Sequence, residues 1–177
     1  MTQFIWKYKQ TDRTDIDKIS KEFDLPESIA TIMSIKKINS KKISRTFFYS
    51  DIKNMHSPLL MKDMEKAVER VLSAKNSNQI ILIIGDYDTD GTTAASVLHL
   101  YFQSIGIKSY FYIPHRQKEG YGISKTAIDY GIKIGANLII SCDCGITAIE
   151  QIDYANENDI DFIICPLFCK INPCKFK

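Results

Sequence analysis

The sequence is poor in the features that would commit it to a membrane, to export or to a zinc-stapled fold. No apolar segment approaches the roughly 20 residues that a membrane-spanning helix needs. The stretch from Met1 to Thr14 has no signal-peptide core. Cysteine is confined to the last quarter, at Cys142, Cys144, Cys165, Cys169 and Cys174, and no two are spaced as CxxC. That spacing argues against a structural zinc site. An odd cysteine count without an export signal points to reduced thiols and a cytoplasmic protein. Charge of one sign is also lacking: 23 basic against 21 acidic residues leave a net charge of +2. Such a balance does not by itself mark a nucleic-acid ligand. Neither phosphate-cradling glycine pattern, GxGxxG or GxxxxGK[ST], occurs. Internal repeats and low-complexity tracts are absent as well.

What is present fits one globular core: 177 residues, 45% hydrophobic and 25% charged. Residues 1–50 read as a helical N-terminal extension. Asp15 is expected to cap a helix ending at Phe23, and Pro26 to open another through Ile32. Lys36, Lys37, Lys41, Lys42 and Arg45 form a basic polar stretch, read as a solvated linker. A helix is expected from Ser57-Pro58. Its stripe Leu60, Met64, Ala67, Val68, Val71 and Leu72 recurs at helical spacing and should pack into the core. From residue 79 strands alternate with helices: strand 79–85, helix 92–104, strand 107–113, helix 124–134, strand 137–142, helix 146–157, strand 160–165. That alternation implies βαβ units, hence an α/β fold on a parallel sheet. The domain reading is an extension over 1–50, an α/β domain over 51–165 and an aberrant tail over 166–177.

The most informative stretch is Gly85-Asp86-Tyr87-Asp88-Thr89-Asp90-Gly91. It follows Ile80-Ile81-Leu82-Ile83-Ile84, a branched apolar run that reads as a buried parallel strand. Three carboxylates so close together repel one another unless water or a cation neutralises them. Oxygen-only ligands favour a hard ion, Mg²⁺ or Mn²⁺. An Asp-rich turn that merely caps a helix is the bland alternative. A calcium EF-hand is excluded, because its twelfth loop position is Val97 where a Glu is required, and a strand precedes the loop.

A second carboxylate repeats the arrangement. Asp143 follows the strand Leu138–Cys142, and Gly145 comes next. Parallel strands present their carboxyl ends at one edge, so Asp143 and the first cluster are expected to converge there as a shared metal site. The bland alternative for Asp143 is an N-cap for the helix near Ile146. Between the two lies Ile113-Pro114-His115-Arg116-Gln117-Lys118-Glu119-Gly120-Tyr121-Gly122. His115, Arg116 and Lys118 supply charge, Gly120 and Gly122 admit a close backbone, and Tyr121 offers a face for a base.

Taken together, GDYDTDGT, YIPHRQKEGYGIS and LIISCDCGIT, in this order and spacing, resemble the DHH phosphoesterase superfamily. More narrowly they resemble its RecJ-like single-stranded-DNA-specific exonucleases, and HSPLLMKDMEKAVERV resembles the helix preceding the first motif there. The resemblance covers roughly residues 50–165. It implies a two-ion Mn²⁺ or Mg²⁺ site held by Asp86, Asp88, Asp90 and Asp143, which are then the catalytic residues. It implies hydrolysis of single-stranded DNA from the 5′ end by a two-metal mechanism, releasing 5′-mononucleotides. His115, Arg116, Gly120, Tyr121 and Gly122 correspond to a family loop that contacts the substrate.

The sequence departs from that family in two respects: the family's Asp-His-His motif and its second, C-terminal domain are both missing. The strand Asp161-Phe162-Ile163-Ile164-Cys165 should be followed by Asp-His-His, but the chain reads Pro166-Leu167-Phe168-Cys169. The only histidines are His56, His99 and His115. A carboxylate site without its imidazole donors loses coordination number, and a displacement of about 1 Å at a reacting centre costs on the order of 100-fold in rate. The expectation is therefore a truncated chain of exonuclease lineage with weak or no activity alone. Three alternatives stay open: a complementing chain that supplies the second half, a non-catalytic remnant that binds metal or nucleic acid, and another DHH phosphohydrolase acting on short oligonucleotides.

Overall fold

A computed structural model describes residues 5, 7, 9–38, 47–49 and 51–165. Part of the basic stretch (Lys41, Lys42, Arg45) and the tail 166–177 lie outside the described residues. The chain divides into two compact units, Met1–Ser57 and Pro58–Lys177.

In the first unit, α1 (Arg13–Phe23) and α2 (Glu27–Ile35) bury Ile16, Ile19, Ala30 and Met33 against one another. The cap of α1 is Asp12, whose carboxylate accepts from the Thr14 amide at 2.9 Å. Asp15, the expected cap, sits in the first turn, where its charge complements the helix dipole. Pro26 does open α2, which runs to Ile35, a turn further than expected.

The second unit is built on four parallel strands: β1 (Ile80–Gly85), β2 (Ser109–Tyr112), β3 (Ala136–Cys142) and β4 (Asp161–Cys165), ordered β2-β1-β3-β4. The helices are α3 (Met64–Asn76), α4 (Thr89–Ser104), α5 (Lys125–Ile134) and α6 (Ile149–Glu157). A strand in the middle of a doubly covered sheet buries both faces, and β1 shows why its sequence is a continuous aliphatic run. Ile81, Leu82, Ile83 and Ile84 are all 0% exposed. Ile81 and Ile83 pack with Ala74, Ala95 and Phe102; Leu82 and Ile84 pack with Ala127 and Ile128. At about 1.5–3 kcal/mol for each fully buried aliphatic side chain, this strand is the main store of hydrophobic stabilisation.

The helix before β1 differs from its expected form. A single 3₁₀ turn, Pro58–Leu60, precedes α3, and Asp63 at φ 57° separates the two. Ala67 and Val71 pack on the core, whereas Leu60 (76% exposed), Val68 (44%) and Leu72 (50%) face outward. The stripe was one face only on the assumption of an unbroken helix. Arg70 of α3 holds the opposite, amino-terminal edge of the sheet. Its guanidinium donates to Asp161 Oδ2 at 2.6 Å, Gln79 Oε1 at 2.9 Å and the Asn137 carbonyl at 3.2 Å. Asn137 Oδ1 in turn accepts from the Ile80 amide at 3.2 Å.

The Arg70 side chain is one-quarter exposed while that of Asp161 is 60% exposed, so the ion pair itself is largely screened. Arg70→Met should therefore cost about 1–3 kcal/mol through its orphaned acceptors, whereas Asp161→Asn should cost under about 1 kcal/mol. Urea unfolding midpoints of the two variants check the ordering, and equal losses would assign the effect to the ion pair instead.

Candidate functional site at the carboxyl edge of the sheet

Strand register brings the acidic residues to one level. Gly85 pairs with Cys142 and Cys142 with Cys165, so Asp86 and Asp143 leave neighbouring strands at the same edge. Glycine makes the first turn possible. A Cβ on Gly91 would lie 2.4 Å from the Asp86 nitrogen, and one on Gly85 would lie 2.6 Å from the Gly91 carbonyl oxygen. The first turn of α4 thus rests directly on the backbone that carries Asp86.

The three clustered carboxylates have different surroundings. Asp86 is 1% exposed, and its Oδ1 is buried with no hydrogen-bond partner. Asp88 caps α4, its Oδ1 accepting from the Gly91 amide at 2.9 Å. That cap is why α4 begins at Thr89, three residues before the expected start, and why Asp90 lies in the first helical turn. Asp90 is exposed. Asp143 is not a cap: α6 starts only at Ile149, and Ala148 precedes it with no side-chain hydrogen bond. Instead Asp143 adopts φ 61°, a left-handed conformation that Asp tolerates better than most residues. Its amide donates to the Cys165 carbonyl at 2.9 Å, which ties the turn to β4. Its neighbours Cys142 and Cys144 are buried, and burial foremost pushes both thiols up to about 12. For Cys144 the charges of Asp86 and Asp143 add to that effect.

The loop between β2 and α5 closes over this edge. Tyr121 donates through its hydroxyl to the Asp143 carbonyl at 3.3 Å. Its ring meets Tyr87 edge-on at 6.5 Å, and the Arg116 guanidinium stands 5.3 Å from the Tyr87 centroid. Partial burial raises the Tyr121 phenol above its ordinary value, and the charges of Asp86, Asp143, Cys144 and Asp88 raise it further. Carboxylates from both motifs therefore act on one hydroxyl. Gly120 (φ 79°) and Gly122 (φ 94°) flank Tyr121 in the left-handed region, and a Cβ on either would meet nothing. Their requirement is conformational rather than steric. His115 shapes the turn: its carbonyl accepts from Lys118 and Glu119, and its Nδ1 accepts from the Gln117 amide at 3.3 Å. His99 lies elsewhere, against Ser109 at 3.0 Å and the Phe111 ring.

Two residues escaped the sequence reading. Glu119 accepts from the His115 amide at 2.8 Å, the Tyr112 hydroxyl at 2.9 Å and the Ser124 hydroxyl at 2.5 Å. One carboxylate thereby joins the end of β2, the turn and the cap of α5, since Ser124 also accepts from the Ala127 amide. Tyr87 is the other, and its contacts are long-range in sequence. The only available signal was an aromatic alternating with the acidic residues.

The carboxylates suit a hard cation in donor chemistry, and the unpartnered Asp86 Oδ1 is an oxygen available to one. Among the described residues, however, no three His, Cys, Asp or Glu side chains are arranged to hold a metal ion. The described carboxylates frame such a site without closing it. No helix among the described residues is long and apolar enough to cross a membrane, and Cys142 and Cys144 are free thiols.

Comparison with known proteins supplies a lineage. Residues 80–165 match the DHH family, N-terminal domain. The chain is 30% identical over 159 residues to the single-stranded-DNA-specific exonuclease RecJ of Bacillus subtilis, covering 90% of this chain and 20% of that protein. It is 28% identical over 156 residues to RecJ of Escherichia coli, covering 88% and 26%. Among solved structures, exonuclease RecJ bound to manganese aligns with a TM-score of 0.61 at 27% identity, over 69% of this chain and 32% of that one. RecJ from Thermus thermophilus in complex with Mn²⁺ aligns at 0.59 and 18% identity, over 90% and 22%, and shows the same fold. The chain spans 20% and 26% of the length of the two curated relatives named here.

Two outcomes are expected from the geometry. Gly91→Ala should lower stability by about 1–3 kcal/mol through overpacking onto the Asp86 backbone, measured as a drop in thermal midpoint. Glu119 tests the loop by pH. Burial raises its carboxyl, but hydrogen bonds from His115, Ser124 and Tyr112 outweigh this and hold it below its ordinary 4.5. A depressed folded value means that the stabilisation is present above 4.5 and lost as pH falls through the lower folded value. Protection of the 115–124 amides, relative to their intrinsic exchange rate at each pH, should thus fall at acid pH in the native protein, and Glu119→Gln should show low protection already at neutral pH.

Proposed function

We propose that this chain, which belongs to the DHH family through the N-terminal domain at residues 80–165 and resembles RecJ over most of its length, is the metal-binding half of a single-stranded-DNA exonuclease site. The observation that carries this reading is the buried, unpartnered Oδ1 of Asp86 at the edge it shares with Asp143. A buried carboxylate oxygen without a donor costs on the order of 1–3 kcal/mol, and a cation offsets that cost. Asp86, Asp88, Asp90 and Asp143 are the ligands of this reading, and Mn²⁺ or Mg²⁺ is the ion. The manganese-bound exonuclease RecJ that aligns with this chain at 27% identity supports the choice.

Such an ion, when bound, stabilises negative charge on a phosphodiester and lowers the pKa of water beside it. The chain's own residues do the positioning. Asp86 and Asp143 fix the ligand oxygens from two neighbouring strands, so that their spacing is set by the sheet. Arg116 supplies a fixed cation for a phosphate oxygen, in a planar form suited to two-point contact. Tyr121 offers a ring to the terminal base and keeps its hydroxyl on the Asp143 carbonyl. Gly120 and Gly122 let the strand backbone approach. His115 holds the turn that presents Arg116. Attack of water at phosphorus and cleavage of the P–O3′ bond would release a 5′-mononucleotide.

The carboxylates belong to these 177 residues, whereas no Asp-His-His does. The activity of this chain alone is accordingly proposed to be weak, with metal binding the more robust property. A second reading, metal or nucleic-acid binding without turnover, draws on the open geometry of the carboxylates.

The deciding experiment combines two readouts on the purified chain. Mn²⁺ at about 100 times its dissociation constant should stabilise the protein by about 2.7 kcal/mol, and Asp86→Asn or Asp143→Ala should abolish the shift. Release of 5′-labelled mononucleotide from single-stranded DNA should be slow, Mn²⁺-dependent and absent in Asp143→Ala. Mn²⁺ stabilisation without release would favour the second reading. The absence of any Mn²⁺ effect would falsify both.

A further inference from the structure

Tyr87 lies between two proposed ligands, yet its ring serves the opposite side of the site. It belongs to the turn that begins at Asp86, and its contacts are with the β2–α5 loop: Arg116 at 5.3 Å from its centroid and Tyr121 edge-on at 6.5 Å. The 83° interplanar angle is the edge-to-face arrangement that aromatic quadrupoles favour. Arg116 is exposed, so its long side chain would otherwise sample many rotamers. A tyrosine face within about 6 Å restricts that sampling by cation–π attraction. Tyr121 is 71% exposed and its hydroxyl holds the Asp143 carbonyl at a long 3.3 Å, so the Tyr87 ring is a second restraint on it.

We infer that Tyr87 is a positioning residue that couples the acidic turn to the substrate loop, holding Arg116 and Tyr121 over the carboxylate edge. The inference rests on the functional reading above for its consequence, but not for its geometry. It assigns Tyr87 no contact with the reacting atoms. The ring, not the hydroxyl, does the holding, so phenylalanine should replace it and leucine should not. An ordered Arg116 binds a terminal phosphate without first giving up rotamer freedom, and this is where the coupling reaches affinity.

The test uses the full chain, with Tyr87→Phe, Tyr87→Leu, Arg116→Gln and the double variant. The first arm reads the free protein: the Arg116 Nε–Hε resonance under the ring current of Tyr87. It should move in Tyr87→Leu and stay near its native position in Tyr87→Phe. The second arm measures anisotropy of a 5′-phosphorylated, phosphorothioate-linked oligo(dT) with Mn²⁺. Tyr87→Leu should weaken binding about two- to fivefold, with Tyr87→Phe close to the parent. In the Arg116→Gln background Tyr87→Leu should cost little more, because its effect runs through the lost guanidinium. An Arg116 resonance indifferent to Tyr87→Leu overturns the inference, and so does an equal shift in Tyr87→Phe. If the parent protein fails to bind the oligonucleotide at all, the exonuclease reading falls. The resonance arm then still decides whether Tyr87 orders Arg116.

Discussion

A carboxylate buried at the end of an aliphatic strand is the constraint around which this domain is organised. Only Gly85 separates Asp86 from four residues with no exposure, and Asp86 itself is 1% exposed. Water cannot solvate it, and nothing in the described protein donates to its Oδ1. A buried carboxylate oxygen without a donor is costly in a protein interior. Its surroundings are shaped to hold it there. Gly85 and Gly91 allow the α4 terminus to close on it, Asp88 caps that terminus, and the register of β1 with β3 sets Asp143 alongside.

The remainder of the unit supplies the rigidity that this point needs. Hydrophobic layers on both faces fix β1, and Arg70 fastens the amino-terminal edge through three acceptors. The carboxyl-terminal edge is held by bonds more local in sequence: Asp143 to Cys165, Tyr121 to Asp143, and the three to Glu119. A base fastened across the sheet and a rim tied within its loops is the ordinary division between scaffold and binding loops in parallel α/β sheets.

How much of this could be read beforehand depended on how local each signal was. The parallel sheet was legible because Ile80–Ile84 is uniformly aliphatic and its neighbours alternate strand with helix. The shared level of Asp86 and Asp143 followed from strand polarity alone. The start of α4 at Thr89 differs from the expected residue 92 because the hydrogen bond from the Gly91 amide to Asp88 is a property of the folded turn. The cap of α1 is Asp12 rather than the expected Asp15, because the extended backbone at Asp12 lets its carboxylate reach the Thr14 amide. The α3 stripe assumed a continuous helix, which the left-handed Asp63 interrupts. Tyr87 and Glu119 were invisible for a different reason. Their partners stand up to 34 residues away for Tyr87, and for Glu119 a charged residue in an exposed-looking loop gives no hint that three donors converge on it.

The Glu119 arrangement has a mechanical corollary. Strand end, turn and helix cap share one carboxylate, so Tyr112, the His115 turn and the first turn of α5 are tied to one another, while Gly120-Tyr121-Gly122 spans between the turn and the cap. A shift of the Glu119 group would carry with it the first turn of α5, whose helix lies close to Leu82 and Ile139 at Gly131. Position of the turn is in this way linked to packing on one face of the sheet.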